Sequence, residues 1–568
     1  MTSRTRFAVF ALALLAAVAP PRHPAAGAER APENSSAGAG AGARTEVGAG
    51  AQAPSLALTD SAGPRIRLAN ALKTERSLTL SEAIELALKK NEGILIQRES
   101  LTAANAAVSG AKGAYDPLLE VGGGWRQANQ PVNSAFSGAP EGEAAPTTKT
   151  SDGGAAIRQL LPTGAEVTLS ASAAREETDG AFELLSPAYS TQAGVALRQP
   201  LLKGLTIDNA RFTIRAAKAD RTLSTAELTR EITETVAAVE KAYWRLIAAR
   251  RAVLVQEEAV RLAEEQLSET RARVEKGAAP ETEVAEPRAE VERRRGDLLS
   301  LMEATARAGN SLKLLILSDD DTELWATRLA PDSSEARANV DIVPIDANEA
   351  MTQALKFRPE LTAAEAVVER RKAETAFARN GVYPTLDAVV SYDRYGLTGS
   401  ENPNAAAPGA VPPGLDGNLG DSFSMLGSGD FDDVRVGVEF SFPIFNRSAR
   451  ADSKIARSIE RQAQSQLAGT RKGIRAEVLN AIAALETAGQ RIEAARAGLD
   501  AAEIQLSAEK DRYAAGLSTN FLVLTRQNDL SRARLDEISA ITDYRTARTE
   551  MARATGSLLE SHGIDTVE

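Results

Sequence analysis

The sequence predicts a mixed fold built twice over, in which antiparallel strands patterned for a membrane barrel alternate with coiled-coil helices about 70 residues long. Three observations predict it. The chain repeats its own motifs in a constant order. Two long stretches keep helical character with essentially no internal proline. Between them, the spacing of apolar residues shifts from the helical period to strict alternation.

The duplication is read from matched residues. Ser81-Glu-Ala-Ile-Glu-Leu-Ala-Leu88 lines up with Asn348-Glu-Ala-Met-Thr-Gln-Ala-Leu355, and Tyr115-Asp116-Pro117 with Val382-Tyr383-Pro384. Gly194-Val-Ala-Leu-Arg-Gln-Pro200 matches Gly437-Val-Glu-Phe-Ser-Phe-Pro443. Gln266-Leu267-Ser268 with Arg273 and Gly277 matches Gln505-Leu506-Ser507 with Arg512 and Gly516, without a gap. Four correspondences in one order mark two structural repeats, expected over 77–330 and 331–568.

Ahead of the repeats, Arg4 and Arg6, the apolar run Phe7 to Ala19 and the small residues Ala26-Gly27-Ala28 predict a secretory leader over 1–28. The run is too short for a spanning helix, which takes about 20 residues, and no later apolar run is long enough either. Insertion into a membrane therefore falls to strands. Residues 29–76 are mainly Ala, Gly, Pro and Ser, with too little apolar surface to offset the entropy of ordering, and predict a disordered linker. The tracts 127–153 and 396–430, rich in Gly, Pro, Asn and Ala and without period, predict loops.

Each repeat opens on a helix, expected over about 80–113 and about 348–379, with Ser81 and Asn348 as N-caps and Glu82 and Glu349 in the dipole-favoured first turn. Pro117 and Pro384 end it and begin extended chain, with strands expected over about 117–200 and about 384–443. Leu386, Ala388, Val390 and Tyr392 face one way, and Asp387, Ser391 and Asp393 the other. Val434, Val436, Val438 and Phe440 alternate with Arg435, Gly437 and Glu439. In the first repeat Leu119, Val121 and Trp125 oppose Glu120 and Arg126, while Val195 and Leu197 oppose Gln192 and Arg198. Such strands suit a barrel with lipid outside and water inside. A half-buried strand of a soluble sheet alternates in the same way.

The helices decide between these. From Pro200 to Gly277 and from Pro443 to Gly516 the chain stays helical in character; a 70-residue helix is about 105 Å long and persists only where neighbours cover its apolar stripe. Gly277 and Gly516 predict sharp reversals, since glycine takes the left-handed position past a helix end without strain, and Pro280 fits the first turn beyond. Return helices over about 281–317 and about 519–555 are half as long, so the opening helices can stack on them end to end and complete a second rail. Alanines at Ala237, Ala238, Ala242, Ala248, Ala249, Ala481, Ala483 and Ala484 permit close approach. A soluble coiled-coil scaffold in the periplasm is the alternative, and it leaves the barrel-like strands opposite the reversals unexplained.

Composition removes other classes. With no cysteine, and histidine only at His23 and His562, the body lacks the usual general bases, thiolate nucleophiles and soft metal ligands. No catalytic, cofactor or metal site is expected. A net charge of −11, with Arg interleaved among Glu, provides no footprint for nucleic acid.

These motifs together resemble the TolC-like outer-membrane efflux protein family over about 78–560. The resemblance rests on the duplicated opening helix, on Tyr383-Pro384, on Gln199-Pro200-Leu201-Leu202, on Ala242-Tyr243-Trp244-Arg245-Leu246 and on the Arg-x-x-x-x-Gly reversals. It implies an outer-membrane channel: a homotrimer whose subunits each give four strands to a shared barrel and their helices to a periplasmic tunnel. Four strands cannot close alone, and open edges in lipid cost several kcal/mol per unpaired group. The alternating segments 155–160 and 165–173, joined by Leu161-Pro162-Thr163-Gly164, are an addition that enlarges the barrel or forms an extracellular hairpin; both remain open.

The same resemblance implies a passive exit duct for a tripartite efflux pump or type I secretion system, partnered by a periplasmic adaptor protein and an inner-membrane pump. It places the adaptor contact at Gly277, Ala278, Gly516, Leu517 and Ser518. It also implies a pore-facing acid six positions past the tip glycine, which is Glu283, followed one turn later by Glu286. The second-repeat equivalents are Leu522 and Thr525, so the acidic ring is at most half present. The residues alone support a second reading, that both are solvated first-turn acids favoured by the helix dipole.

Overall fold

The computed structural model describes residues 75–131, 133, 138–278, 280–332, 345–409 and 411–565; the expected leader and all but two residues of the expected linker lie outside these. Those two residues open strand β1 (Glu75–Leu78), and helix α1 (Leu80–Lys90) follows. Thr79, rather than Ser81, is the cap. Its hydroxyl accepts from the Glu82 N–H at 3.2 Å, and the Glu82 carboxylate accepts from the Thr79 N–H at 2.9 Å, so two donors are satisfied reciprocally. The single opening helix expected to reach residue 113 is broken at Asn91, whose side chain caps α2 (Glu92–Lys112) by accepting from the Gly93 N–H at 3.0 Å. Four strands come next: β2 (Leu118–Asn129), β3 (Thr147–Leu160), β4 (Glu166–Thr178) and β5 (Leu185–Pro200). The long helix α3 (Asn209–Glu275) leads through its reversal to α4 (Ala285–Ile316), a single turn α5 (Thr322–Trp325) and β6 (Arg328–Pro331).

The later half has the same grammar. Its opening helix is also two pieces, α6 (Ala347–Phe357) and α7 (Pro359–Asn380), capped by Asp346 instead of Asn348 and divided where Pro359 takes the first helical position. Strand β7 (Thr385–Glu401), helix α8 (Leu419–Ser428) and strand β8 (Asp432–Ser441) lead into α9 (Arg447–Ala514), the return helix α10 (Asn520–Thr555) and a last turn α11 (Leu558–Ser561). Both expected loop tracts are therefore shorter. Strands reach into them from β2, β3 and β7, and α8 lies wholly within the second.

One antiparallel sheet of six strands runs in the order β2-β3-β4-β5-β7-β8. The four-strand expectation is corrected here: the open hairpin question resolves into β3 and β4, paired on both sides within the sheet. Their turn is tight because Gly164 takes a φ of 84° and the Leu161 N–H donates to the Ala165 carbonyl at 2.7 Å. The register aligns the alternation across strands. Leu119, Ile157, Leu169, Val195, Tyr392 and Val434 form one row through all six strands. One residue along, on the opposite face, Glu120, Ala156, Ser170, Gly194, Asp393 and Asp433 form another. Polar-face ion pairs include Arg198 with Asp387 at 2.8 Å and with Glu439 at 3.0 Å. Helix α8 lies on the apolar face at the end of β5 and β7 far from the helices. There Thr191 donates to the Ser422 carbonyl at 3.0 Å, and a Cβ at Gly396 would sit 2.1 Å from that oxygen.

The helices pack as four rails. Along α3, α2 covers the beginning, with Gly93 beside Glu231, and α4 covers the end, where Gln256 donates to the Arg294 carbonyl at 3.0 Å. α7 and α10 stack in the same way between α3 and α9, through pairs such as Arg370–Asp220, Arg471–Glu365 and Arg534–Glu503. The duplicated opening motif is explained by this packing: Ala83 and Ala87, with Ile84, are buried on α1, as Ala350 and Ala354 are on α6. Of the alanines expected at close approaches, Ala237, Ala242 and Ala481 are buried, whereas Ala483 and Ala484 are exposed off the packed stripe. Among the described residues, no helix is long and apolar enough to cross a membrane.

Candidate functional site

The two reversals have one geometry because they share one residue pattern. After α3, the Gly277 N–H donates to the Val274 carbonyl at 2.8 Å and the Ala278 N–H to the Arg273 carbonyl at 2.8 Å. After α9, the Gly516 N–H donates to the Tyr513 carbonyl at 3.0 Å and the Leu517 N–H to the Arg512 carbonyl at 2.8 Å. Closing each helix this way requires left-handed backbone at the glycine, and φ is 71° at Gly277 and 74° at Gly516. The two tips are adjacent: the Arg273 guanidinium stands 5.0 Å from the centre of the Tyr513 ring.

Their surfaces differ. Gly277 and Ala278 are exposed beside the acidic turn Glu281–Val284, with Pro280 in extended conformation just before that turn instead of in a helix. Gly516 and Leu517 are exposed too, near the exposed Phe521 and Leu522, while the Ser518 hydroxyl donates to Glu509. Glu283 lies in the short turn and Glu286 in the first turn of α4; both are exposed, and neither makes an ion pair among the described residues. Pro287 is buried in that same first turn, where its missing N–H removes no helical hydrogen bond.

Two charged clusters escaped the sequence reading. One turn beyond Glu286, the buried Glu290 pairs with the buried Arg294 at 2.8 Å, and Asn528 of α10 bonds to both, tying the first return helix to the second. Further from the tips, Arg553 reaches Glu234 of α3 at 2.8 Å as well as Glu477 and Glu550, and Arg358 reaches Glu360 at 2.8 Å and Glu477 at 2.9 Å. Lys241 also contacts Glu550. Burial opposes charge at Glu360 and Glu550, but the guanidinium partners outweigh it and hold both carboxyls below their ordinary value. Glu240 is likewise held low against its burial, by His562 at 3.3 Å and by a hydrogen bond from the Trp244 indole at 3.4 Å. The available signal was the i,i+4 spacing of Glu290 and Arg294 on the inward face of α4.

Tyr243, from the Ala-Tyr-Trp-Arg-Leu motif, is fully buried. Its hydroxyl donates to the Leu78 carbonyl at 3.1 Å and accepts from the Asp332 N–H at 3.2 Å, so it clamps the parallel pair β1 and β6 onto α3. Among the described residues, no three His, Cys, Asp or Glu side chains converge as a metal ion would require.

The family model for outer membrane efflux protein matches residues 154–316 and 350–557. The outer membrane efflux protein BepC of Brucella suis biovar 1 (strain 1330) is 23% identical over 402 residues, which cover 69% of this chain and 79% of that protein. A membrane protein from Pseudomonas aeruginosa has a similar fold, with a TM-score of 0.58 at 21% identity over 84% of this chain and 93% of its own. The Campylobacter jejuni CmeC outer membrane channel gives 0.58 at 16% identity, covering 86% and 87%. The open state of the Neisseria gonorrhoeae MtrE outer membrane channel gives 0.56 at 17% identity, covering 84% and 89%. With matched segments spanning more than half of its length, and with this fold and these paired reversals, the chain belongs to the outer membrane efflux protein family.

Proposed function

We propose that the protein is the outer-membrane exit duct of a tripartite efflux or type I secretion assembly. It acts as a homotrimer, with its sheet in the outer membrane and its helices reaching through the periplasm. The observation that carries this reading is the sheet. Its apolar face continues through six strands to both edges, while the other face bears Glu120, Arg158, Arg198, Asp387 and Glu439. A single open sheet would leave two rows of backbone groups unpaired in lipid, and pairing with further copies removes that cost. Transport is passive, and the energy comes from an inner-membrane partner.

At the other end of helices about 100 Å long, the tip residues Gly277, Ala278, Gly516, Leu517 and Ser518 meet a periplasmic adaptor. Exposed Leu517, Phe521 and Leu522 offer apolar contact there, next to the acidic first tip. Glu283 and Glu286, without an ion pair among the described residues, form the narrowest and most negative ring of the closed tunnel and favour cations. Conductance of the purified protein in planar bilayers tests this. The expected cation-to-anion permeability ratio is several-fold, falling to about 1 when Glu283→Gln and Glu286→Gln are combined. An unchanged ratio in the double variant would assign both acids to solvated surface and remove the constriction.

A further inference from the structure

We propose that three copies close into a barrel of eighteen strands, with the added hairpin β3–β4 standing in the barrel wall and widening the outer-membrane pore. This rests on the outer-membrane trimer proposed above and deepens it. The hairpin is integral to the sheet: β3 pairs with β2 from Arg158 to Thr147 and with β4 from Leu160 to Thr148. Its apolar side chains, Ile157 and Leu169, sit in the middle of the row that crosses the sheet, so removing the pair would interrupt the lipid-facing surface.

Both edges fit closure on another copy. β2 leads away from the helices and β8 returns to them, so β2 of one chain beside β8 of the next is antiparallel, as every other pair in the sheet is. Their lengths, 12 and 10 residues, match a tilted membrane crossing of about 9–11 residues. On each edge strand the apolar side chains stay uncovered within one chain: Trp125 is 66% exposed and Val436 76%.

The count of eighteen follows from the six strands of each chain, and their girth is compatible with the helical tunnel. The rails are α2 on α4, α3, α7 on α10, and α9, so three copies give twelve rails. At helix spacings of about 8–10 Å these need a circumference of about 100–120 Å. Strands about 4.8 Å apart and tilted about 45° each occupy about 7 Å of girth, so eighteen need about 120 Å and twelve only about 80 Å. A six-stranded sheet thus continues the tunnel without narrowing. Mid-strand, the polar face carries small side chains, including Gly122, Gly124, Gly154, Ser170, Ser172 and Ala174, while Glu120, Arg158 and Arg198 project from it nearer the helices. After allowing for side chains, the opening is about 28 Å across instead of about 16 Å. Helices are about 10–12 Å thick. The outer end therefore accepts cargo of polypeptide cross-section, about two helices wide.

The absence of cysteine makes the test clean. Single cysteines replace Leu169, Ser170, Ala171 and Ser172 on β4, and Val390 and Ser391 on β7, in the full-length protein in intact cells, probed with a membrane-impermeant maleimide. Labelling is expected at Ser170→Cys, Ser172→Cys and Ser391→Cys and not at the other three. Labelling at all four β4 positions while β7 still alternates would overturn the eighteen-strand barrel and leave the outer-membrane reading standing. Loss of alternation on β7 as well would overturn both. Neutral polymers added outside reconstituted channels provide a second measurement. Entry is expected up to a radius of about 13 Å, and a cut-off near about 7 Å would overturn the wide barrel.

Discussion

Gly516 and Gly498 are the same residue type with opposite consequences. Gly516 has a φ of 74°, in which a Cβ is strained, while Gly498 is inside α9 with open space where a Cβ would go. Gly516→Ala is expected to cost about 1 kcal/mol and Gly498→Ala to contribute about 0.5–1 kcal/mol, seen as opposite shifts of the thermal unfolding midpoint. The carboxyls Glu240, Glu360 and Glu550 are held below their ordinary 4.5, so they bind protons more weakly folded than unfolded. Their stabilisation is complete above that ordinary value and is lost as pH falls below it. The unfolding midpoint should therefore be flat down to about pH 5.5 and fall below it, with a shallower fall in Glu550→Gln; an identical acid limb in both proteins would contradict this. Such clusters were not legible in the sequence. The exposed Arg261, bridging Glu258 and Glu265, has the same spacing as buried Arg294 with Glu290, and spacing alone does not reveal which side of a helix is covered.

At the scale of elements, the long helices and their reversals were legible, because proline is absent over α3 and α9 and the glycines come where the apolar stripe stops. The breaks at Asn91 and Arg358 were less so, although Pro359 marks the second. Strand limits were missed where Gly, Ser and Thr are frequent, as in β3 and the end of β7, since these residues mark turns in isolation and pair only because a neighbouring strand presents its ladder. Helix α8 was read as loop because its short apolar side, Leu419, Met425 and Leu426, has meaning only against the sheet. Tyr243 was noticed as part of a motif, but its clamp depends on β1 and β6, which are far apart in the chain. Tyr243→Phe removes the hydroxyl bridge but leaves the direct Asp332 N–H to Leu78 carbonyl bond of 3.1 Å, and should cost about 0.5–1.5 kcal/mol. Limited proteolysis should then cut near Pro331 sooner than in the parent protein; an unchanged cleavage rate would mean that the strand pair holds without the clamp.

At the scale of the whole molecule, one chain is an incomplete object. Among the described residues its sheet has two open edges and one greasy face, and long stripes of its helical rails have no neighbour. The internal repeat and the alternation of the strands made the two-part character visible in the sequence. Strand count was not visible, because β3 and β4 alternate too weakly, with Ala, Gly and Ser on both faces, to be distinguished from a surface hairpin. Cell-envelope fractionation followed by mass measurement of the detergent-extracted protein tests whether three copies close one shared barrel. An outer-membrane species close to three times the mass of the mature subunit is expected. A soluble monomer or dimer in the periplasmic fraction would contradict it and would make the sheet part of a scaffold that never enters a membrane.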